Sequence, residues 1–364
     1  MIKLYKPSLN IRMSLLIGAL LAFLAFSYMP GTTRYRVDEL FAITADSETD
    51  IFLAVLQPMS GPYQTISQSS VTSLADWQAH SITGNDFVNV VANSITLQPG
   101  QTTEIVYTYH AAIRRGSVKW EQEYLPEHLL PEANIESDNP LIRAEAARFA
   151  LEQPSQRARS IYTHVAEYLS WPEGSRINVQ PSALAALESG VGVCAEFANL
   201  TTALSRAAGV PAVSISGLAM PELLPLTKKQ AQWNHPAAAH GWVELYTDTS
   251  WTMADASWAG KARQDAYFGR SDGRHLSFGP TAHEQEVYSR VLEWAEGQGT
   301  PVGGMSAPNK FIAAATSADT QVTPTVTITQ ELDSRHPIAL ATFILGSMMA
   351  CAAITALTRF LAKP

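Results

Sequence analysis

Short runs of β-branched and aromatic residues recur along the first third of the chain, at residues 51–56, 87–92 and 104–110. Turn-forming residues separate these runs: Gly61, Pro62, Gly84, Asn85, Pro99 and Gly100. Strand spacing of this kind predicts a β-sandwich over residues 34–115. The segment contains no catalytic cluster, so we expect a structural or substrate-presenting module.

Helical periodicity begins after Pro140 and predicts helices over 141–151, from Ser155 onward, over 182–187 and from Cys194 to Gly209. Strands are predicted at 212–217, 241–246 and 251–255, and a last helix at 282–295. Helices followed by antiparallel strands predict an α+β fold.

Two uncharged apolar segments flank this region. Residues 14–29 follow Lys3, Lys6 and Arg12, a layout typical of a signal anchor or a cleaved signal peptide, and we favour an anchor slightly. Residues 337–358 are long enough to span a bilayer, and Arg359 and Lys363 follow them. The positive-inside rule then puts both ends in the cytoplasm and the domains between them on the extracytoplasmic side.

Composition narrows the classes of function. The chain has 364 residues, of which 46% are hydrophobic, and this predicts two or three domains. A net charge of -8 without a dense basic block argues against a nucleic-acid partner. The oligomeric state cannot be predicted from these features.

The two cysteines do not form a plausible disulfide, because Cys351 lies inside the predicted membrane span. Cys194 is therefore expected to be a free thiol. It follows Gly190 and Gly192 at the start of a predicted helix, where the helix dipole favours a thiolate and a free backbone N–H can meet an oxyanion.

A base and a carboxylate occur in compatible local structure. If the strands around residues 241–246 and 251–255 form a hairpin with an even loop at Asp248 and Thr249, then His240 and Asp255 share a face and lie within side-chain reach. An odd loop would separate them.

Other histidines have weaker claims to the same role. His235 lies in a loop-like segment, His164 on a predicted helix, and His275 and His283 have no evident strand partner. No His, Cys, Asp or Glu group shows a recognised metal-ligand spacing, so we expect no metal and no cofactor.

The segments GVC, GVPAVSISG, HGWVEL and SWTMADASW, in this order, resemble the transglutaminase-like superfamily over about residues 155–260. This resemblance implies a papain-like core in which Cys194 is the nucleophile, His240 the base and Asp255 the orienting carboxylate. The β domain with GNDFV and LQPGQT also resembles that of some bacterial members. Tyr168 and Trp171 are the weak candidates for a further oxyanion donor.

Three positions depart from the usual pattern of the superfamily: Ala195-Glu196 after the cysteine, Gly241 after the histidine and Ala256 after the aspartate. None of these removes a catalytic group, but they leave the choice of substrate open.

The chain is therefore predicted to contain an N-terminal anchor or signal peptide (1–30), a β-sandwich (34–115), a helical connector (116–154), a transglutaminase-like catalytic domain (155–300), a linker (301–336) and a transmembrane helix (337–358). The expected function is that of a membrane-embedded cysteine peptidase or amidase acting on a protein or peptide. Hydrolysis is favoured over transamidation because water is always available at an exposed site. The alternative is a non-catalytic binding or scaffolding module at the membrane surface.

Overall fold

The computed structural model describes residues 31–74, 76–150, 153–172, 182–220, 230–233, 239–260, 262–303 and 311–331. Among these residues, no helix combines the length and the apolar character that a membrane crossing needs. The two predicted membrane segments, at 14–29 and 337–358, lie outside the described residues, as does His235.

The strands of the N-terminal half are β1 (Gly31–Thr44), β2 (Thr49–Pro58), β3 (Gln64–Ser73), β4 (Gln78–His80), β5 (Val88–Leu97), β6 (Thr102–Ser117) and β7 (Lys119–Trp120). The strands of the C-terminal half are β8 (Ala212–Ala219), β9 (Gln230–Trp233), β10 (Ala239–Thr247), β11 (Ser250–Ala254), β12 (Arg270–Asp272), β13 (His275–Pro280), β14 (Thr300–Gly303), β15 (Phe311–Ala315) and β16 (Gln321–Glu331). The α-helices are α1 (Pro140–Ala146), α2 (Pro154–Tyr168), α3 (Ala183–Ser189), α4 (Cys194–Ala207), α5 (Ala256–Ala259) and α6 (Thr281–Glu296). Short 3-10 helices occur at Pro126–Leu129, Ala147–Phe149 and Gln264–Ala266.

The strands form three sheets. The first has the strand order β12-β6-β1-β16-β9, with β3 also paired to β6, and the second has the order β14-β15-β2-β5-β4. The third has the order β13-β8-β10-β11-β7. The first two share a buried apolar cluster that includes Phe41, Leu53, Tyr107 and Phe311. Alternation of buried and exposed residues along β6 produces this inner face, as expected for strands that are covered on one side. The predicted strands and helices are present, and the protein is a sheet-rich α+β fold.

The prediction of a linker over residues 301–336 is wrong for 301–303, 311–315 and 321–331. β15 pairs with β2, and β16 pairs with β1 over eleven residue pairs from Arg34↔Glu331 to Thr44↔Gln321. The Thr/Ala-rich composition hid these strands, because small alanines fill the tightly packed positions: Ala313, Ala314 and Ala315 are fully buried. Both β-domain sheets therefore contain C-terminal strands.

The third sheet carries the site, and α4 packs against it. Helix α4 is buried from Glu196 to Arg206, far more than a single apolar face would require. Gly217 permits the close packing of the sheet, since a Cβ there would lie 2.2 Å from the Leu276 carbonyl oxygen and 2.4 Å from the Trp242 ring. The start of α4 is thereby held against one end of β8 and β10.

Candidate functional site

Cys194 is the first residue of α4 and is partly exposed. Gly190 ends α3 in the left-handed region, at φ +68°, and so allows the sharp turn into α4. The Glu196 carboxylate accepts a hydrogen bond of 2.7 Å from the Val193 backbone N–H, which caps the helix and explains the acidic residue two positions after the cysteine. Backbone N–H groups in the first turn of a helix have no intrahelical acceptor, so this end of α4 favours negative charge.

The hairpin of β10 and β11 has the predicted even loop. Thr247 pairs with Ser250, and Asp248 and Thr249 form a two-residue turn with φ of 48° and 71°. The prediction that His240 and Asp255 share a face is confirmed, because His240 Nε2 lies 3.0 Å from Asp255 Oδ2.

His240 also contacts the thiol. Its Nε2 donates to Asp255, and the Cys194 side chain is near enough to the ring to contribute to its raised pKa. Nδ1 is the ring atom left for that contact. Burial alone would lower the pKa of His240, but the charge and hydrogen bond of Asp255 outweigh burial and raise the pKa above its usual 6.5. The ring therefore favours the protonated form beside the sulfur.

Asp255 is fully buried and bonded at both oxygens. Oδ1 accepts from Ser257 N (2.9 Å), Ser257 Oγ (2.7 Å) and Trp258 N (3.1 Å), which also caps α5. Burial would raise the pKa of this carboxyl, yet His240 and His275 hold it well below its usual range. Asp255 is thus a fixed negative charge.

A second histidine, His275, completes the cluster and was not predicted from the sequence. Its Nε2 lies 3.0 Å from the same Asp255 Oδ2, and its Nδ1 lies 3.4 Å from Asp272 Oδ1, at an angle unsuited to a hydrogen bond. Burial would lower the pKa of His275, but the two carboxylates raise it to about 9. His275 is therefore a buried cation at neutral pH.

Trp258 covers both imidazoles. Its ring stacks on His240 at a centroid distance of 4.5 Å, lies 4.5 Å from His275, and receives the Arg274 guanidinium at 4.4 Å on its face. Aromatic cover of this kind lowers the local dielectric constant and strengthens the interactions of Asp255.

The side chains with weaker claims to a catalytic role, as oxyanion donor or as base, contact other residues. The Tyr168 hydroxyl donates to the Leu187 carbonyl, and the ring stacks on His164. Trp171 stacks on Phe197 and is 49% exposed. His283 is exposed and packs near Phe87.

The nitrogen and oxygen atoms of His240, Asp255 and His275 lie within 4.8 Å of one another, a spacing that would also suit a metal ion. The two imidazoles already share the one Asp255 oxygen between them. Hydrogen bonds to Asp255 thus link the three side chains of the cluster.

Comparison with known proteins agrees with the sequence resemblance. Residues 144–256 match the model of the transglutaminase-like superfamily. The resemblance to this superfamily is thus confirmed. The matched segment contains Cys194, His240 and Asp255 but ends before His275. The match supports an enzymatic function at the level of the superfamily.

Solved structures show weaker likenesses. A candidate cysteine protease from Cytophaga hutchinsonii is 16% identical, with a TM-score of 0.49, over 83% of this chain and 93% of that one. The periplasmic domain of TgpA from Pseudomonas aeruginosa is 18% identical, with a TM-score of 0.33, over 68% of this chain and 96% of that one. No curated protein matches the sequence significantly.

Proposed function

We propose that this protein is a thiol acyl-transfer enzyme that hydrolyses peptide or amide bonds, with Cys194, His240 and Asp255 as its catalytic residues. The observation that carries the proposal is the single imidazole of His240, in contact with Cys194 and bonded to Asp255. Covalent catalysis by a thiol requires a nucleophile next to a base, and a third group that orients the base.

In the proposed reaction, the Cys194 proton resides on His240 Nδ1 and the sulfur attacks the carbonyl carbon. The tetrahedral oxyanion is stabilised by backbone N–H groups at the start of α4. Collapse of this intermediate breaks the carbon–nitrogen bond, and the His240 proton passes to the leaving amine. Water, losing a proton to His240, then hydrolyses the thioester and frees the acid and the thiol.

His275 has a positioning role in this proposal. It donates to the same Asp255 oxygen as His240, and its positive charge offsets part of the negative charge that His240 experiences. Without that charge, Asp255 would raise the pKa of His240 further.

We also place the domains on the extracytoplasmic side of a membrane, with the apolar segments 14–29 and 337–358 as anchors. The motivation is the position of Lys and Arg residues outside each segment. A reporter fused after residue 300 should be accessible from outside the cytoplasm, and one fused after Pro364 should not. Cytoplasmic accessibility of the first reporter would overturn this placement.

The catalytic proposal is tested by alkylation of the full-length protein carrying Cys351→Ser, so that Cys194 is the one thiol present. At about pH 6, iodoacetamide should react with Cys194 faster than with free cysteine, since the helix start and the His240 imidazolium favour thiolate. Cys194→Ser should abolish labelling. His240→Ala should slow it strongly and Asp255→Ala less.

The same variants should lose hydrolysis of a denatured protein substrate in that order, because orienting a base contributes less than being one. Alkylation no faster than free cysteine, or unchanged in His240→Ala, would favour the non-catalytic binding module instead.

A further inference from the structure

A small cavity of about 120 Å³ opens where the N-terminal strands meet the sheet of the site. Aromatic side chains and one carboxylate line it: Tyr63, Phe87, Trp120, His128, Trp251 and Glu244. None of the residues proposed for catalysis contributes to its lining. The cavity is therefore a separate feature of the molecule.

Glu244 gives the cavity a carboxyl group that no cationic side chain of the described residues pairs with. Its Oε1 accepts a 2.8 Å hydrogen bond from the Tyr63 hydroxyl, but within the described residues no Lys, Arg or His forms an ion pair with it. Burial raises the pKa of Glu244 to about 7, and the Tyr63 hydrogen bond lowers it only in part. Glu244 is partly buried, and its ionised form is costly without a cation, so a cationic ligand would stabilise that form.

We propose that this cavity binds a primary alkylammonium group, with the nitrogen on Glu244 and the alkyl chain against the aromatic walls. The faces of Trp and Tyr rings attract cations, so the walls and the carboxylate select the same ligand. Trp120 and Trp251 lie with their rings stacked at 6.5 Å, and Tyr63 lies 5.8 Å from Trp120.

Size and geometry favour an ammonium over larger cations. A volume of about 120 Å³ is below the range of about 300–1,000 Å³ of drug-sized pockets. A guanidinium is a planar group with three nitrogens and is larger than a single ammonium nitrogen. The compact ammonium can bond to one oxygen of Glu244 while the Tyr63 hydroxyl keeps its bond to the other.

The cavity is linked to the proposed catalytic residues. The Tyr63 hydroxyl accepts a hydrogen bond of 3.3 Å from Trp242 Nε1, and the Trp242 ring lies 5.9 Å from His240. A lysine side chain of a substrate and a free amine offer the same group. The binding claim itself does not depend on catalysis by Cys194.

Calorimetric titration of the full-length protein with n-butylammonium tests the proposal, and butan-1-ol is the uncharged control ligand. Butylammonium should bind at least about ten-fold more tightly than butanol at pH 8, a difference of about 1.4 kcal/mol. Glu244→Gln, which preserves shape, should remove this preference, while the exposed Glu286→Gln should not. Titration with Nα-acetyl-lysine N-methylamide distinguishes the sources: tighter binding than butylammonium indicates a lysine side chain, and weaker binding a free amine.

Proton release gives a second readout that needs no variant. Glu244 is partly protonated near pH 7, so binding of butylammonium should release protons, measured from the dependence of the heat on buffer ionisation. The other titratable groups at the cavity are His128, whose pKa burial lowers, and Tyr63, whose pKa burial raises well above 10. Equal binding of the two ligands, no binding of butylammonium, or proton release that persists in Glu244→Gln would overturn the proposal. Activity of Cys194 has no part in these outcomes.

Discussion

The Asp255 carboxylate has a hydrogen-bond pattern that an amide cannot reproduce. One oxygen accepts from two imidazoles, and the other accepts from Ser257 and the Trp258 backbone. An Asn side chain presents an NH₂ group at one of these two positions, where it would face donors in either orientation. The site thus requires a carboxylate, and not just a group that accepts from His240.

Asp255→Asn is therefore expected to lower both stability and activity. Each buried donor left without an acceptor costs about 1–3 kcal/mol, so the free energy of unfolding should fall by at least that amount. Chemical denaturation of the variant measures the loss, and the exposed Asp46→Asn is the matched control. Stability equal to the wild type would show that the described hydrogen bonds do not form.

His275 predicts a pH dependence of stability. Its folded pKa of about 9 exceeds the usual 6.5, so its contribution is fully present below about pH 6.5 and is lost as the pH rises through about 9. The difference corresponds to about 3 kcal/mol as an upper value. In denaturation series from pH 6 to 9.5, the stability gap between the wild type and His275→Gln should narrow with rising pH.

Activity provides the readout that separates positioning from a structural role. In His275→Gln the basic limb of the pH–rate profile should move to higher pH, because His240 keeps its proton longer without the neighbouring cation. The exposed His283→Gln should change neither stability nor profile. A profile with unchanged position and reduced height would assign His275 to packing alone.

At the scale of elements, the hairpin of β10 and β11 sets the spacing between His240 and Asp255. Its turn residues Asp248 and Thr249 both have positive φ, which is unfavourable for a β-branched residue. Asn-Gly is the preferred sequence for such a turn.

The double substitution Asp248→Asn with Thr249→Gly should therefore raise stability by about 0.5–1 kcal/mol. Thermal unfolding should show a higher midpoint, while activity stays unchanged because the register is preserved. Thr44→Gly, at an exposed and extended position of β1, should instead lower the midpoint. A lower midpoint in the double variant would mean that the turn adopts another conformation.

The features that the sequence predicts correctly are those encoded locally. The β10–β11 hairpin and the start of α4 follow from alternation, a turn and two glycines within short segments. His275 could not be found in this way, because β13 pairs with β8, where His275 lies opposite Ala219. A contact between residues so distant in sequence depends on tertiary packing, and the family match ends before it.

At the scale of the whole molecule, the segment that resembles transglutaminases lies, in sequence, between the two parts of a β domain. Strands from both ends of the described chain build that domain. Strand β12 joins β6, and Gln64 Nε2 donates to the Ser277 carbonyl at 2.7 Å, so the sheets are connected near the site. The cavity at Glu244 lies at this junction. Loss of the β domain should consequently affect the site as well as its own sheets.

The C-terminal strands give the last prediction, tested with two fragments. A fragment of residues 31–331 retains β15 and β16, whereas 31–310 lacks both and exposes the edges of β1 and β2 that they cover. Removing them also deletes buried side chains such as Phe311, Val326 and Ile328 and uncovers the apolar residues that pack against them, such as Phe41. Full burial of each such side chain contributes about 1.5–3 kcal/mol, so the summed loss is comparable with the roughly 5–15 kcal/mol by which a domain is usually stable. The shorter fragment should aggregate or unfold without a cooperative transition in thermal melting, and the longer one should unfold cooperatively and keep Cys194 reactive. Cooperative unfolding of 31–310 at the same midpoint would show that residues 311–331 are dispensable, as a linker would be.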